Sequence, residues 1–282
     1  MEKKSRSVPF HKGDGTNGTS GTLVVIPWLA SAAQGDELRL AITGWKKFFK
    51  ERHKIVIVGD TPEWLTGVHT AEDAYGNKLS WIPDPEFDYG IKVIPCPRIT
   101  PVPGQYTPAL DHINKFRKVR EAFPDSKGFI YSCDDIYPVA PFTLDDVKVP
   151  KYPEIATMDL NSWNGKHDDW WDAREYTAHL CRLSGLPVRD WVCHMPVYYE
   201  WDKLLGIFDR YDADHMSIIP ENIYFNMYAD IKGAQDAREW RDEVKGSNPG
   251  GIRPLGTVKF VTNQNSGWSQ RLEDMLKRHY GL

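Results

Sequence analysis

Nowhere in the chain is there a run of about 18 apolar residues, and the charged segment Met1 to Arg6 is followed by no apolar leader core. The expectation is a cytoplasmic protein with no membrane segment. Cysteine is scarce, with four in 282 residues. Cys96, Cys133, Cys181 and Cys193 form no CxxC pair, so neither a structural zinc finger nor a disulfide framework is expected. Positive charge is not in excess, since 35 Lys and Arg face 39 Asp and Glu for a net charge of -4. The basic clusters at Lys46–Lys54 and Lys115–Arg120 alternate with apolar residues at helical spacing and read as solvated helix faces. Stable nucleic-acid binding is therefore not expected, although brief contact with a nucleic-acid substrate stays open. There is no GxxxxGK[ST], no GxGxxG after the first apolar run, and no GxSxG elbow. These absences count against a P-loop kinase, a dehydrogenase and an α/β-hydrolase respectively. No internal repeat is present.

What is abundant is aromatic: 11 Trp, 13 Tyr and 11 Phe, 12% of the chain. Such residues fill cores and also line carbohydrate and nucleotide sites. Residues 1–20 are polar and rich in Gly, Ser and Thr, and read as a flexible tail. From Thr22 onward, short β-branched runs alternate with helical patterns. Thr22–Pro27 reads as a buried strand. Asp36 is placed to cap a helix with Leu38, Ala41, Ile42, Trp45, Phe48 and Phe49 on one face. Lys54–Val58 reads as a second strand, which completes a βαβ unit. Residues 75–106, rich in Pro and Gly, read as loops around one short strand at Lys92–Ile94. A helix over Leu110–Ala122 and a strand over Gly128–Ser132 follow.

Farther on, the pattern predicts an aromatic and acidic loop over 159–172, with Trp163, Trp170 and Trp171 available to shape an acceptor surface. Helices are expected at Ala173–Leu183, Trp201–Tyr211, Asn222–Tyr228 and Ser269–Tyr280, and strands at Val188–Val192 and Val258–Val261. A Gly-rich segment at 246–251 reads as a mobile loop. The expectation is one α/β domain over 21–282, with a mostly parallel central sheet covered by helices on both faces.

The strongest chemical signal is Phe129-Ile130-Tyr131-Ser132-Cys133-Asp134-Asp135. An apolar strand delivers two adjacent carboxylates at its C-terminal end, where open α/β sheets bind ligands. Like charges there raise each other's pKa unless a cation intervenes, so a divalent ion holding a diphosphate fits Asp134 and Asp135. His194, between a short apolar run and Pro196, is a candidate metal ligand, phosphate contact or acid/base. Glu221, opening a helix after Pro220, is a candidate general base. On the donor side, Asp60 ends the second strand, and Arg39 and Lys115 are candidate phosphate cations. Asp111, four residues before Lys115, either joins that site or simply pairs with Lys115.

The order of these motifs resembles the GT-A fold of nucleotide-diphospho-sugar transferases. Ser132-Cys133-Asp134-Asp135 stands where that fold carries its metal-binding DXD motif, and Pro220-Glu221-Asn222 is similar to its x-E-D base motif, with Asn for the second acid. A narrower similarity is to the Stealth-type capsular polysaccharide sugar-phosphate transferases. It rests on Asp36-Glu37-Leu38-Arg39 with His53–Leu65, on Phe129–Ile136, on His194-Met195-Pro196, and on Lys259–Gln264, and together these span most of 22–265. The first block has Trp28-Leu29-Ala30 where Stealth proteins have Trp-Val-Asp.

The resemblance implies a Mn²⁺- or Mg²⁺-dependent transfer of sugar from a nucleotide sugar, UDP-linked, to a hydroxyl on a saccharide or a modified nucleobase. Asp134, Asp135 and His194 would hold the metal, with Asp135 catalytic and Glu221 the base. Pro27, Trp28, Arg39, Asp60, Asp111, Lys115 and Asp134 would border the nucleotide. Sugar-phosphate transfer, a phage-type glucosylation of hydroxymethylated bases, and a non-catalytic carbohydrate- or nucleotide-binding module are the alternatives.

Overall fold

The computed structural model describes residues 21–65, 69–72, 78–84, 87–101, 103–153 and 168–282. The expected tail at 1–20, and Trp163 in the expected aromatic loop, lie outside the described residues. Among the described residues no helix is long and apolar enough to cross a membrane.

Strand β1 (Thr22–Trp28) is buried along almost its whole length, as its β-branched sequence requires of a strand covered on both faces. It lies between β2 (His53–Gly59) and β6 (Gly128–Tyr131), parallel to both, with Val24 opposite Ile55 and Ile130. β5 (Phe87–Pro95) extends the parallel set beyond β2. Antiparallel strands close both edges. On one side are β4 (Lys78–Asp84) and β3 (His69–Glu72), and on the other β9 (Val197–Glu200) pairs with β6. The result is a seven-stranded mixed sheet in the order β3-β4-β5-β2-β1-β6-β9, parallel through its four central strands.

Alternation along β1 sends side chains to two different cores. Leu23 and Val25 pack with α2 (Thr107–Ala122) through Ile113, Phe116 and Val119. The same layer holds α4 (Asp169–Leu183), α5 (Trp201–Arg210) and α6 (Pro220–Tyr228). Val24 and Ile26 pack on the opposite face against Leu38, Ile42 and Trp45 of α1 (Glu37–Phe48). Helices thus cover both faces of an α/β sheet.

A second sheet carries part of the candidate site. Here β12 (Phe260–Asn263) runs antiparallel to β7 (Ile136–Pro138) and parallel to β11 (Arg241–Val244). It packs against α1 and α7 (Gln270–Tyr280) through Val139, Val261, Leu272 and Leu276. The remaining short elements are α3 (Leu144–Lys148) and the pair β8 (Lys151–Tyr152) with β10 (Gln235–Asp236).

Four expectations are corrected. Residues 75–106 hold β4 and β5 as well as loops, because Pro83 falls at the register shift between Ile82 and Asp84, beyond the stretch of β4 that pairs with β3, where no ladder hydrogen bond is required of it. Val188–Val192 forms no strand. Its backbone is satisfied by side chains of α6: Asn222 Oδ1 accepts from Trp191 N and Asn226 Oδ1 from Arg189 N. Helix α4 begins at Asp169, four residues earlier than expected, because Asp168 caps it by accepting from Trp171 N at 2.9 Å. Asp36 precedes α1 without capping it and instead pairs with Lys277 of α7 at 2.8 Å.

Candidate functional site

The carboxyl ends of β1, β2 and β6 meet the N-terminus of α1 and one face of α2. Gly59, with φ of 139°, ends β2 where a Cβ would fall 2.0 Å from the Trp28 carbonyl oxygen, so only glycine lets the ends of β1 and β2 approach this closely. Beyond β6 the chain turns through Cys133, Asp134 and Asp135 into β7. That turn is anchored from both sides, since Asn263 N donates to the Asp135 carbonyl oxygen and Trp45 Nε1 donates to Ser132 Oγ.

A cavity of about 230 Å³ opens here. Pro27 and Trp28 line it from β1, Asp111 and Lys115 from α2, and Asp134 and Asp135 from the acidic turn. Six of the residues expected at the nucleotide or metal therefore share one cavity. Burial, the neighbouring Asp135 charge and Glu37 push the Asp134 carboxyl up to about 7. Burial is the larger cause, and the two neighbouring carboxylates add to it.

Lys115, only 2% exposed, donates to Asp111 Oδ2 at 2.6 Å, and Ile99 N donates to Asp111 Oδ1. The pair forms within the helix, so the cation facing the cavity is already half-compensated. His112 also lines the cavity, and burial together with Lys115 holds it down at about 4, which leaves it neutral at pH 7.

Other expected residues do not line this cavity. Asp60 Oδ2 accepts from Ala30 N at 2.8 Å and ties the loop after β1 to the end of β2. Arg39 is exposed over the Trp64 ring, with its guanidinium 5.2 Å from the ring centroid. Trp171 is 1% exposed and belongs to the core, a correction to its expected place on an acceptor surface. Trp170 is half-buried beside the Arg174 guanidinium.

His194 comes to Asp135 from the coil before β9. Its Nε2 lies 2.9 Å from Asp135 Oδ1, and its Nδ1 lies 3.9 Å from Glu243 Oε1 on β11. Burial by itself lowers the imidazole's pKa, but the Asp135 charge and hydrogen bond, with Glu243, outweigh it and raise His194 to about 9. Conversely, the nearby His194, with Arg241 and Lys245, holds Glu243 well below the usual carboxylate range. His194 has φ of 51°, a left-handed conformation uncommon for a non-glycine residue, and one that strained functional positions adopt. Among the described residues, donor atoms of Cys133, Asp135 and His194 all lie within 4.8 Å of one another, which fits a metal ion.

Glu221 lies in the first turn of α6, and its Oε1 is buried with no hydrogen-bond partner among the described residues. Burial and the Asp190 charge push its carboxyl up to about 8, against the opposing pull of His194 and a hydrogen bond from the Cys193 backbone. Its charge in turn bears on Cys133 and Tyr131. Glu221 thus sits on the His194 side of the acidic turn and does not line the cavity.

Several participants were not singled out from the sequence. Glu37 lines the cavity and receives a hydrogen bond from Asn263 Nδ2 at 2.9 Å, while Asn263 Oδ1 accepts from Tyr137. This buried chain supports the acidic turn from below. Glu37 and Asn263 do lie within the stretches resembling Stealth blocks, which was their available signal. Arg98 adds a second cation to the cavity wall, and Glu243 backs His194; neither carries a local pattern.

No protein-family model matches the chain, and no curated protein matches it significantly.

Proposed function

We propose that this chain is a metal-dependent glycosyltransferase of GT-A type that moves a sugar from a nucleotide sugar, UDP-linked, to a hydroxyl acceptor. One observation carries the reading: a cavity at the carboxyl edge of a parallel sheet combines an acidic pair, two cations and an indole. Asp134 and Asp135 face it with Lys115, Arg98 and Trp28. The oxygen donors of the acidic turn, joined by the imidazole of His194, suit Mn²⁺ or Mg²⁺. A divalent ion held by Asp134, Asp135 and His194 would supply charge neutralisation for the departing diphosphate. Lys115 and Arg98 add positive charge toward the same phosphates, and Trp28 offers a flat apolar wall to the base or the sugar.

Glu221, with its raised carboxyl pKa, serves as the proton acceptor for an inverting transfer to an acceptor approaching from the His194 side. The acceptor is a saccharide or modified-nucleobase hydroxyl.

Calorimetry with UDP and Mn²⁺ tests the donor site directly. Binding is expected only with both present, and Asp135→Ala is expected to abolish it while Tm stays within a few degrees of wild type. No metal-dependent binding of any nucleotide or nucleotide sugar would sink the proposal. With a UDP-sugar donor the expected product is UDP, whereas UMP would mark transfer of the whole sugar-phosphate.

A further inference from the structure

The acidic turn has two faces. Asp135 lines the cavity together with Asp134, and its Oδ1 also meets His194, which is not one of the lining residues. Near His194 stands Cys133, whose Sγ lies 3.1 Å from the Tyr131 hydroxyl. Cys96, Cys181 and Cys193 are buried, while Cys133 alone of the four is partly accessible.

We propose that Cys133, Asp135 and His194 form a thiophilic metal site that binds Zn²⁺ through one sulfur, one oxygen and one nitrogen. The inference rests on the reading of Asp135 and His194 as metal ligands and gives them, with Cys133, a second metal that competes there with the Mn²⁺ or Mg²⁺ of the donor site.

The donor set decides the class. A thiolate is a poor ligand for Mg²⁺, which demands oxygen donors in near-ideal octahedral geometry and sheds its waters reluctantly. A thiolate with an imidazole and one carboxylate is a normal zinc donor set, with a fourth position left for water. Around a tetrahedral zinc, donor atoms stand about 3.3–3.8 Å apart, given bonds of about 2.0–2.3 Å. The three donors here lie within 4.8 Å of one another, and the His194–Asp135 contact of 2.9 Å has to open only slightly to admit the ion.

A carboxylate also stands on the second nitrogen's side of the His194 ring, at ion-pair distance. Glu243 stands at the far nitrogen of His194, 3.9 Å from Nδ1, and is itself held by Arg241 at 3.4 Å and Lys245 at 3.3 Å. A carboxylate at the second ring nitrogen orients the imidazole toward a metal at the first. On binding, the Cys133 thiol gives up its proton to the buffer, leaving a thiolate on zinc.

The test uses the full chain and Co²⁺ as a coloured stand-in for Zn²⁺. Wild type is expected to develop a thiolate-to-cobalt charge-transfer band in the near ultraviolet, which one equivalent of Zn²⁺ removes. Cys133→Ser is expected to lose the band and more than about 100-fold of Zn²⁺ affinity, a larger cost than the 10–100-fold typical of outer-shell changes. Should that variant fail to fold, alkylation of wild type followed by mass spectrometry reads the same contact, since Zn²⁺ is expected to shield the Cys133 peptide. Absence of the cobalt band, a band that survives in a folded Cys133→Ser, or alkylation of Cys133 unaffected by Zn²⁺ would overturn the proposal. Mn²⁺-dependent UDP binding, measured on a separate aliquot freed of Co²⁺ and Zn²⁺ by chelation, keeps the two readings apart. If it persists without a cobalt band, the zinc site fails and the donor site stands; the reverse result sinks the donor site alone.

Discussion

Replacing Lys115 with methionine removes the cation of a buried pair while keeping most of its aliphatic volume. In wild type the two side chains are 3% and 7% exposed and 2.6 Å apart. After the change Asp111 is left buried, with the Ile99 N–H as its one remaining donor among the described bonds. Breaking a buried pair from one side costs about 3–5 kcal/mol. The surviving Ile99 bond places this case at the low end, about 3 kcal/mol. In a chain of this size that lowers Tm by about 6–12 °C. Adding Asp111→Leu removes the stranded carboxylate, so the double variant is expected to be more stable than Lys115→Met, with a coupling energy of about 2 kcal/mol. Urea unfolding of wild type, both single variants and the double variant closes the cycle. A Lys115→Met loss below about 1 kcal/mol, or strict additivity, would refute the claim that the pair is buried and mutually dependent.

Other consequences follow from the same geometry. Glu221 has a carboxyl raised to about 8, against an ordinary value of 4.5. Between those pH values the folded state keeps a proton that the unfolded chain has lost, so this group's stabilising contribution is full below about 4.5 and falls as pH rises toward 8. Its full span is at most about 5 kcal/mol. Glu221→Gln is expected to flatten that slope in urea titrations at pH 5 and pH 8 in the presence of a chelator, and an unchanged slope would contradict it. Asn263→Ala strips partners from Glu37 and the Tyr137 hydroxyl and is expected to cost about 2–4 kcal/mol by denaturant unfolding. Asn222→Ala removes the acceptor of the Trp191 amide at 2.7 Å; it is expected to cost about 2 kcal/mol and to speed hydrogen exchange at that amide.

Local sequence pattern carried the central strands and the helices because each of them buries a regular stripe. Val24, Val25 and Ile26 announce a strand covered on both faces, and Leu38, Ile42 and Trp45 announce the helix beneath it. The place of the acidic turn was legible for a similar reason: the apolar run ends at two carboxylates, which cannot continue a strand buried on both faces, so they fall at its carboxyl end. Position on those strands and on α2 was enough to bring Pro27, Trp28, Asp111, Lys115, Asp134 and Asp135 to one cavity.

Contacts between distant segments could not be read in this way. Val188–Val192 has the composition of a strand, but the side chains of Asn222 and Asn226 satisfy its backbone, and no local pattern records such a partner. Trp171 looks like a surface aromatic until Asp168 starts the helix that turns it inward. Cys133, Asp135, His194 and Glu243 come from three separate stretches of chain, so the sulfur–nitrogen–oxygen cluster leaves no spacing signature of the CxxC kind. The sequence by itself determined which faces are apolar and where charge interrupts them, because those depend on neighbours three or four residues away. Only the tertiary structure decided which charges meet, since a distance of 2.9 Å between Asp135 and His194 is set by the packing of β6, β9 and β11 together.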